Sequence, residues 1–458
     1  MSPKRAISPF ALRGTVFTAS NAHQLHCIEN ALVCVDENGV ITAVLHQDDT
    51  GYSQACQHYQ LQGQLTVLEP GQYVLPGFVD LHVHAPQWPQ TGKALDLPLN
   101  EWLQDNTFPL EARYADIDFA RQVYLSLVDT LLANGTTTAM YFATLHDRSS
   151  LELARICLEK GQRALVGRVA MDNPDQCPDY YRDESATAAI EATARFIDDV
   201  YQLPGNTLRR VRPVITPRFI PSCTDELLTG LGALARRSGC HVQTHCSESD
   251  WEHQYVQQRH HKNDTQALND FGLITRKTVL AHANFLNDED MDTLKAAGAG
   301  VAHCPLSNFY FSNAVFPLRK ALERHLHVGL GSDLSGGHSP SMFDSCRHAI
   351  TASNALHDGV DPAIQAASRG NGSAKIDFRQ AFWLATGGGG EALDLPIGQI
   401  KTGYAFDALM LDCRATEGNV VIWPELDSSP DILQKIIYNA ARSNIIRTWV
   451  QGELVFSR

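Results

Sequence analysis

Six side chains in this sequence sit where hydrolytic chemistry would need them. His82 and His84 close the apolar run YVLPGFVDLHVH, His245 and Glu248 close CHVQTHCSE, His282 lies in TVLAHAN, and Asp333 ends HVGLGSD. His82 and His84 are two residues apart, so on a strand both rings point to the same side. A lone histidine on an apolar run reads as a packed core residue. Several strand-end histidines joined by a strand-end aspartate read instead as a nitrogen-rich ligand set with one carboxylate. That set suits Zn2+ or Fe2+ and leaves a coordination position for water. A cation there lowers the pKa of a bound water from about 15.7 toward 7, which gives hydroxide at neutral pH. Hydroxide attack also needs a proton carrier. Glu248, just past the strand end, reaches the pocket without being a ligand and suits the role of general acid and base. Asp333 can both touch the metal and accept a proton. His146, His303 and His338 read as pocket or surface residues rather than ligands.

These residues lie up to about 250 positions apart, so the fold must bring them together. The runs YVLPGFVDLHVH, GTTTAMYFAT, RALVGRVAMD, VRPVITPRF, CHVQTHCSE, TVLAHAN, GAGVAHCPLSN and HVGLGSD alternate with helix-period stretches such as DELLTGLGALARRSG. Eight such units predict an α/β fold, a closed (β/α)8 barrel whose strand C-termini converge on one face, where sites are built. Nearly continuous apolar runs are what parallel strands buried on both faces require. The two ends of the chain look different. ALVCVDENGVITAVL reads as a hairpin turning at Glu37-Asn38-Gly39, and AFDALMLD and NIIRTWVQGELVFSR as strands around Gln451-Gly452. Neither end buries a core alone, so residues 1–72 and 397–458 are expected to pair into one small composite β-domain, with the barrel at 73–396. Thr386-Gly387-Gly388-Gly389-Gly390 is expected to be a flexible loop near the end of the barrel.

One metal rather than two is expected. A bridging lysine at the fourth strand end would be needed for a pair. Lys93 lies in a loop, Lys160 ends a helix pattern, and the fourth strand ends in Arg218.

Composition narrows the function classes. The 458 residues carry 37 Lys and Arg against 51 Asp and Glu, a formal net charge of −14 that repels nucleic acid and anionic membranes. Apolar residues make up 44% and charged residues 19%, a globular balance. No apolar run reaches the roughly 20 residues that span a bilayer. The beginning, MSPKRAISPFALRG, has no apolar h-region, and eleven Cys without framework spacing predict reduced thiols in the cytoplasm. There is no phosphate-cradling G-x-x-x-x-G-K-[ST], no H-E-x-x-H, no G-x-S-x-G and no cytidine-deaminase H-x-E with P-C-x-x-C.

PGFVDLHVHAPQ, THCSE, LAHANFL and GLGSDLSGG, in that order, resemble the amidohydrolase superfamily over roughly residues 70–395. Within it, His84-Ala85-Pro86-Gln87, Glu101-Trp102-Leu103, Thr107-Phe108-Pro109, Glu111, Arg113-Tyr114, Asn134-Gly135-Thr136-Thr137-Thr138, Thr216-Pro217-Arg218-Phe219, Cys304-Pro305 and Ser307-Asn308 resemble the guanine deaminases. The resemblance implies the barrel with its companion β-sandwich. It also implies conversion of guanine and water to xanthine and ammonia on a single Zn2+, in a homodimer. It further implies that His82, His84, His245 and Asp333 hold zinc, that His282 hydrogen-bonds the attacking water or lies at the metal's edge, and that Glu248 and Asp333 shuttle protons. Gln87 and Arg218 would bind the edge of the purine, with Phe219 and Trp102 as pocket walls. The chemistry agrees, because guanine is planar and neutral with donors and acceptors around its rim. AHANF and the stretch Thr91–Asp96 depart from the usual pattern. That loop would border the substrate, and its length suggests a lid. Alternatives are another aminated heterocycle (8-oxoguanine, cytosine, a pterin) or a chlorinated triazine, a cyclic-amide hydrolase, or a non-catalytic scaffold with a broken ligand set.

Overall fold

The computed structural model describes residues 7–312 and 314–458, so the first six residues of the expected N-terminal segment lie outside the described part. Five strands come first: β1 (Phe10–Asn21), β2 (Gln24–Val35), β3 (Ile41–Leu45), β4 (Leu65–Val67) and β5 (Gln72–Pro76). Eight follow in alternation with helices: β6 (Phe78–His84), β7 (Thr136–Phe142), β8 (Arg163–Ala170), β9 (Val211–Pro217), β10 (His241–Cys246), β11 (Thr278–His282), β12 (Gly300–His303) and β13 (His327–Leu330). The last three are β14 (Ala408–Asp412), β15 (Ile445–Val450) and β16 (Glu453–Ser457).

β6 to β13 form one parallel sheet in sequence order, and each of the eight is one of the apolar runs read as barrel strands. Every residue of β7 and of β8 is buried, as a strand covered by helices outside and side chains inside must be. The sheet closes into a nearly complete barrel through the chain just after β13. The Asp333 amide donates to the His82 carbonyl at 2.8 Å, and the His84 amide donates to the Leu334 carbonyl at 2.8 Å. The buried Asp80 carboxylate reinforces this seam by accepting from the Ser332 amide at 2.9 Å.

The segment at Thr386–Gly390 departs from the expected loop. Gly387–Ala392 is a short helix with all four glycines buried, and it packs against both β6 and β13. The reason is proximity rather than flexibility: a Cβ on Gly389 would lie 2.7 Å from Val79 Cβ. Glycine removes the side chain where backbone meets strand.

The terminal strands form a second, separate sheet in the order β16-β15-β14-β5-β1-β2-β3, with β4 beside β1. The hairpin turn read at Gln451-Gly452 joins β15 to β16, with both residues at positive φ (49° and 73°). β5, which straddles the expected boundary after residue 72, pairs with β1 and β14 in this sheet. The two sheets are tied by a buried two-pronged ion pair in which Arg163 Nε and Nη2 donate to Asp407 at 3.0 and 3.1 Å.

Candidate active site

The barrel places His82, His84, His245, His282, Glu248 and Asp333 together at the C-terminal ends of its strands. His84 Nε2 and His245 Nε2 are 2.9 Å apart. Asp333 Oδ1 lies 3.1 Å from His82 Nε2 and 3.5 Å from His84 Nε2. His282 Nε2 sits 3.7 Å from Glu248 Oε2 and 3.9 Å from Asp333 Oδ2. All six side chains are buried. Three of them adopt positive φ or directly follow a residue that does: His282 (69°), Asp333 (49°), and Glu248 after Ser247 (49°). Non-glycine residues are held this way at a cost, and such strain gathers where side chains must be aimed.

Two of the imidazoles, those of His245 and His282, are fixed by their other nitrogen. His245 Nδ1 donates to the Arg218 carbonyl at 2.6 Å, which leaves its Nε2 lone pair facing the cluster. His282 Nδ1 donates to Asn308 Oδ1 at 3.1 Å. Asn308 is itself locked by Asn284, whose amide also donates to the Glu248 carbonyl at 2.9 Å. Phe142, the last residue of β7, packs its ring 4.7 to 5.0 Å from those of His82, His84 and His245. Burial first, and neighbouring imidazoles second, hold His82, His84 and His245 well below the ordinary histidine pKa, so all three are neutral. Burial and then the Asp333 charge push Glu248 well above the usual carboxylate range. Burial also raises Asp333, against the pull of His282.

Neutral imidazoles and a carboxylate are the protonation states that a metal takes up. Among the described residues, His82/His84/His245, His245/Glu248/His282 and His82/His282/Cys304 each bring their donor atoms within 4.8 Å of one another. His282 Nε2 is buried without a hydrogen-bond partner, and His82 Nε2, though 3.1 Å from Asp333 Oδ1, makes no aligned hydrogen bond with it. Orphaned ring nitrogens of this kind are costly unless something else uses them. The residues therefore fit a divalent cation. His146, His303 and His338 join none of these groups. Lys160 pairs with Asp129 at 2.8 Å, away from the cluster.

Above the cluster is a pocket lined by His84, Gln87, Trp102, Arg218, Phe219, His245, Glu248 and Asp333, with Leu99, Leu103, Phe311 and Gly336 completing it. His82 and His282 lie behind these residues. The segment after His84, expected as a long loop, is mostly helical turns at Ala85–Gln90 and Leu99–Ala112, and it supplies Gln87, Leu99, Trp102 and Leu103 to the wall. Gly336 is needed there because a Cβ on it would stand 2.8 Å from Asp333 Oδ2.

Sequence reasoning gave no role to Glu111, which is fully buried and accepts from Gln87 Nε2 at 3.0 Å and from Arg218 Nη1 at 2.6 Å. Burial works against the Arg218 charge, and Glu111 more than restores it. Phe142, Asn308 and Phe311 were also given no role. Phe142 closes an apolar run and Asn308 belongs to the Ser307-Asn308 motif, so both carried a signal.

Residues 73–455 match the model of the amidohydrolase family. A probable guanine deaminase from Schizosaccharomyces pombe is 38% identical over 88% of this chain and 75% of its own. The guanine deaminase of Mus musculus is 35% identical over 98% of this chain and 97% of its own. A crystal structure of the guanine deaminase from C. acetobutylicum, with guanine bound in its active site, superposes with a TM-score of 0.86 at 30% identity, covering 98% of this chain and 100% of that one. With its barrel, its strand-end histidines and carboxylates, and these relatives, the chain belongs to the amidohydrolase family, among the guanine deaminases.

Proposed function

We propose that this protein hydrolyses guanine to xanthine and ammonia. The observation that carries the reading is one pocket lined by two unlike sets of groups. Among its lining residues are neutral imidazoles and two carboxylates, together with an amide and a guanidinium suited to a purine rim. His82, His84, His245 and Asp333 would hold a single divalent cation, Zn2+ by the nitrogen-rich donor set, with Fe2+ fitting the same ligands. When bound, that ion supplies an acidified water.

The chain's own residues supply the rest. Glu248 takes a proton from the attacking water and passes it to the ring nitrogen beside the amine-bearing carbon. Its raised pKa suits a group that must hold a proton between two transfers. Asp333 helps protonate the departing amine, which leaves as ammonia. His282 aims its Nε2 at the space between Glu248 and Asp333 and holds the attacking oxygen there. Gln87 and Arg218 grip the purine edge, and Phe219 and Trp102 flank its faces.

The proposed catalytic unit is the barrel, residues 73–396, with residues 1–72 and 397–458 as the composite β-domain; β5 sits at their junction. Among the described residues no helix is long and apolar enough to cross a membrane, and all eleven cysteines are unpaired. Unpaired thiols support a reducing, cytoplasmic setting. Assembly as a homodimer follows from the family resemblance.

Incubation with guanine, followed by ultraviolet spectrum and by ammonia release, tests the reading. One ammonia per guanine, abolished by a chelator and restored by Zn2+, is expected. Release from another aminated ring but not from guanine would move the substrate, and ring opening without ammonia would remove the deaminase reading.

A further inference from the structure

Glu111 does not line the pocket, yet both side chains that would grip the purine rim end on it. Its carboxylate accepts Gln87 Nε2 at 3.0 Å and is straddled by Arg218, with Nη1 to Oε2 at 2.6 Å and Nη2 to Oε1 at 3.2 Å. All three side chains are buried. An amide and its flipped form differ only in which end faces which partner. Here the carboxylate settles the choice, because it can only accept. The Gln87 nitrogen must face Glu111, and Oε1 is left buried without a hydrogen-bond partner. The same carboxylate holds the guanidinium of Arg218, itself stacked 5.0 Å from the Phe108 ring, as a fixed set of donors whose charge is cancelled.

We propose that Glu111 is a specificity-determining positioning residue, which sets the pocket to present one acceptor, Gln87 Oε1, beside a charge-balanced donor, Arg218. This inference rests on the guanine reading above and names how the ring is chosen. A ring with an N–H next to a carbonyl, as in guanine, complements an acceptor beside a donor. A ring with the same reacting amine but neither of those groups does not. 2-Aminopurine is such a ring: it carries the amine at the same carbon as guanine and lacks both the carbonyl and the adjacent N–H.

The test compares kcat/KM for guanine and 2-aminopurine in the wild-type metal-loaded enzyme and in Glu111→Gln and Glu111→Asp. In Glu111→Gln the new amide can donate to Gln87, so the Gln87 amide is free to turn its nitrogen into the pocket. The guanine over 2-aminopurine ratio is expected to fall by on the order of ten- to hundredfold, mostly through a higher KM for guanine. Glu111→Asp keeps the acceptor and the charge, and is expected to restore part of the ratio. A variant in which both substrates decline equally, with the ratio kept, overturns the proposal, because a purely structural role moves both alike. If Glu111→Gln does not fold, Glu111→Asp decides by the same ratio: lowered supports the proposal, unchanged overturns it. Wild-type turnover of guanine is measured in parallel. Its absence removes the substrate reading and this inference with it, whereas its presence with an unchanged ratio in the variants removes only the role of Glu111.

Discussion

His241 and His245 stand four residues apart on β10, one at the floor of the barrel and one at its mouth. Both are buried, and in both burial is the largest influence holding the ring neutral. They differ in what the protein does with Nε2. At the floor, His241 Nε2 donates to the Leu393 carbonyl at 2.8 Å, so the ring is consumed by the fold. At the mouth, His245 spends Nδ1 on the Arg218 carbonyl and turns Nε2 toward His84, 2.9 Å away, and toward the rest of the cluster. A depressed histidine pKa therefore does not mark a ligand by itself; the unspent nitrogen, converging with others, does.

The comparison breaks first at the mouth. His245→Ala is expected to lose bound metal and turnover together, by more than about 10⁴-fold in rate. Metal analysis alongside ammonia release checks this, and full metal occupancy in that variant would contradict the ligand role. Next comes Glu248, proposed to handle protons without holding the ion. Glu248→Gln should lower kcat by roughly 10²- to 10⁴-fold with metal content unchanged; an active variant would refute the assignment.

The smallest effect lies at the floor and is read as stability. The His241 pKa is lowered from 6.5 to about 4, by burial first. As pH falls through 6.5 the unfolded chain takes up a proton that the folded chain refuses until about 4, so stability drops across that window and the loss is complete below it. The size is about 3 kcal/mol. His241→Gln places an amide nitrogen near the ring's donor and removes the titration. Its urea-denaturation stability should lose that share of the slope, with metal content untouched. A variant with the wild-type slope would mean that His241 does not carry it.

Much of the mouth was legible in the sequence, because strand ends announce themselves. His82 and His84 share a face by the period of two, and Glu248 and Asp333 follow apolar runs of the right length. Glu111 was not legible as an anchor. Its partners are 24 and 107 positions away, and it lies on a short irregular helix with no strand pattern to aim it. The four glycines at 387–390 misled for the opposite reason. Glycine signals freedom to a local reading, yet here it answers a contact with Val79, more than three hundred positions earlier, that only the folded barrel creates.

The seam that closes the barrel is built largely from the backbone of the proposed ligands: the amide of Asp333 on the carbonyl of His82, and the amide of His84 on the carbonyl of Leu334. During synthesis the ribosome therefore exposes the His82-Val83-His84 segment roughly 250 residues before its counterpart emerges. His245 and His282 emerge in between, but until Asp333 appears the nascent chain has neither the closing strand nor that carboxylate, and a fragment released earlier carries an incomplete set. Capture of a cation by these residues would thus be a late event in the life of each new molecule, coupled to the meeting of the first and last staves.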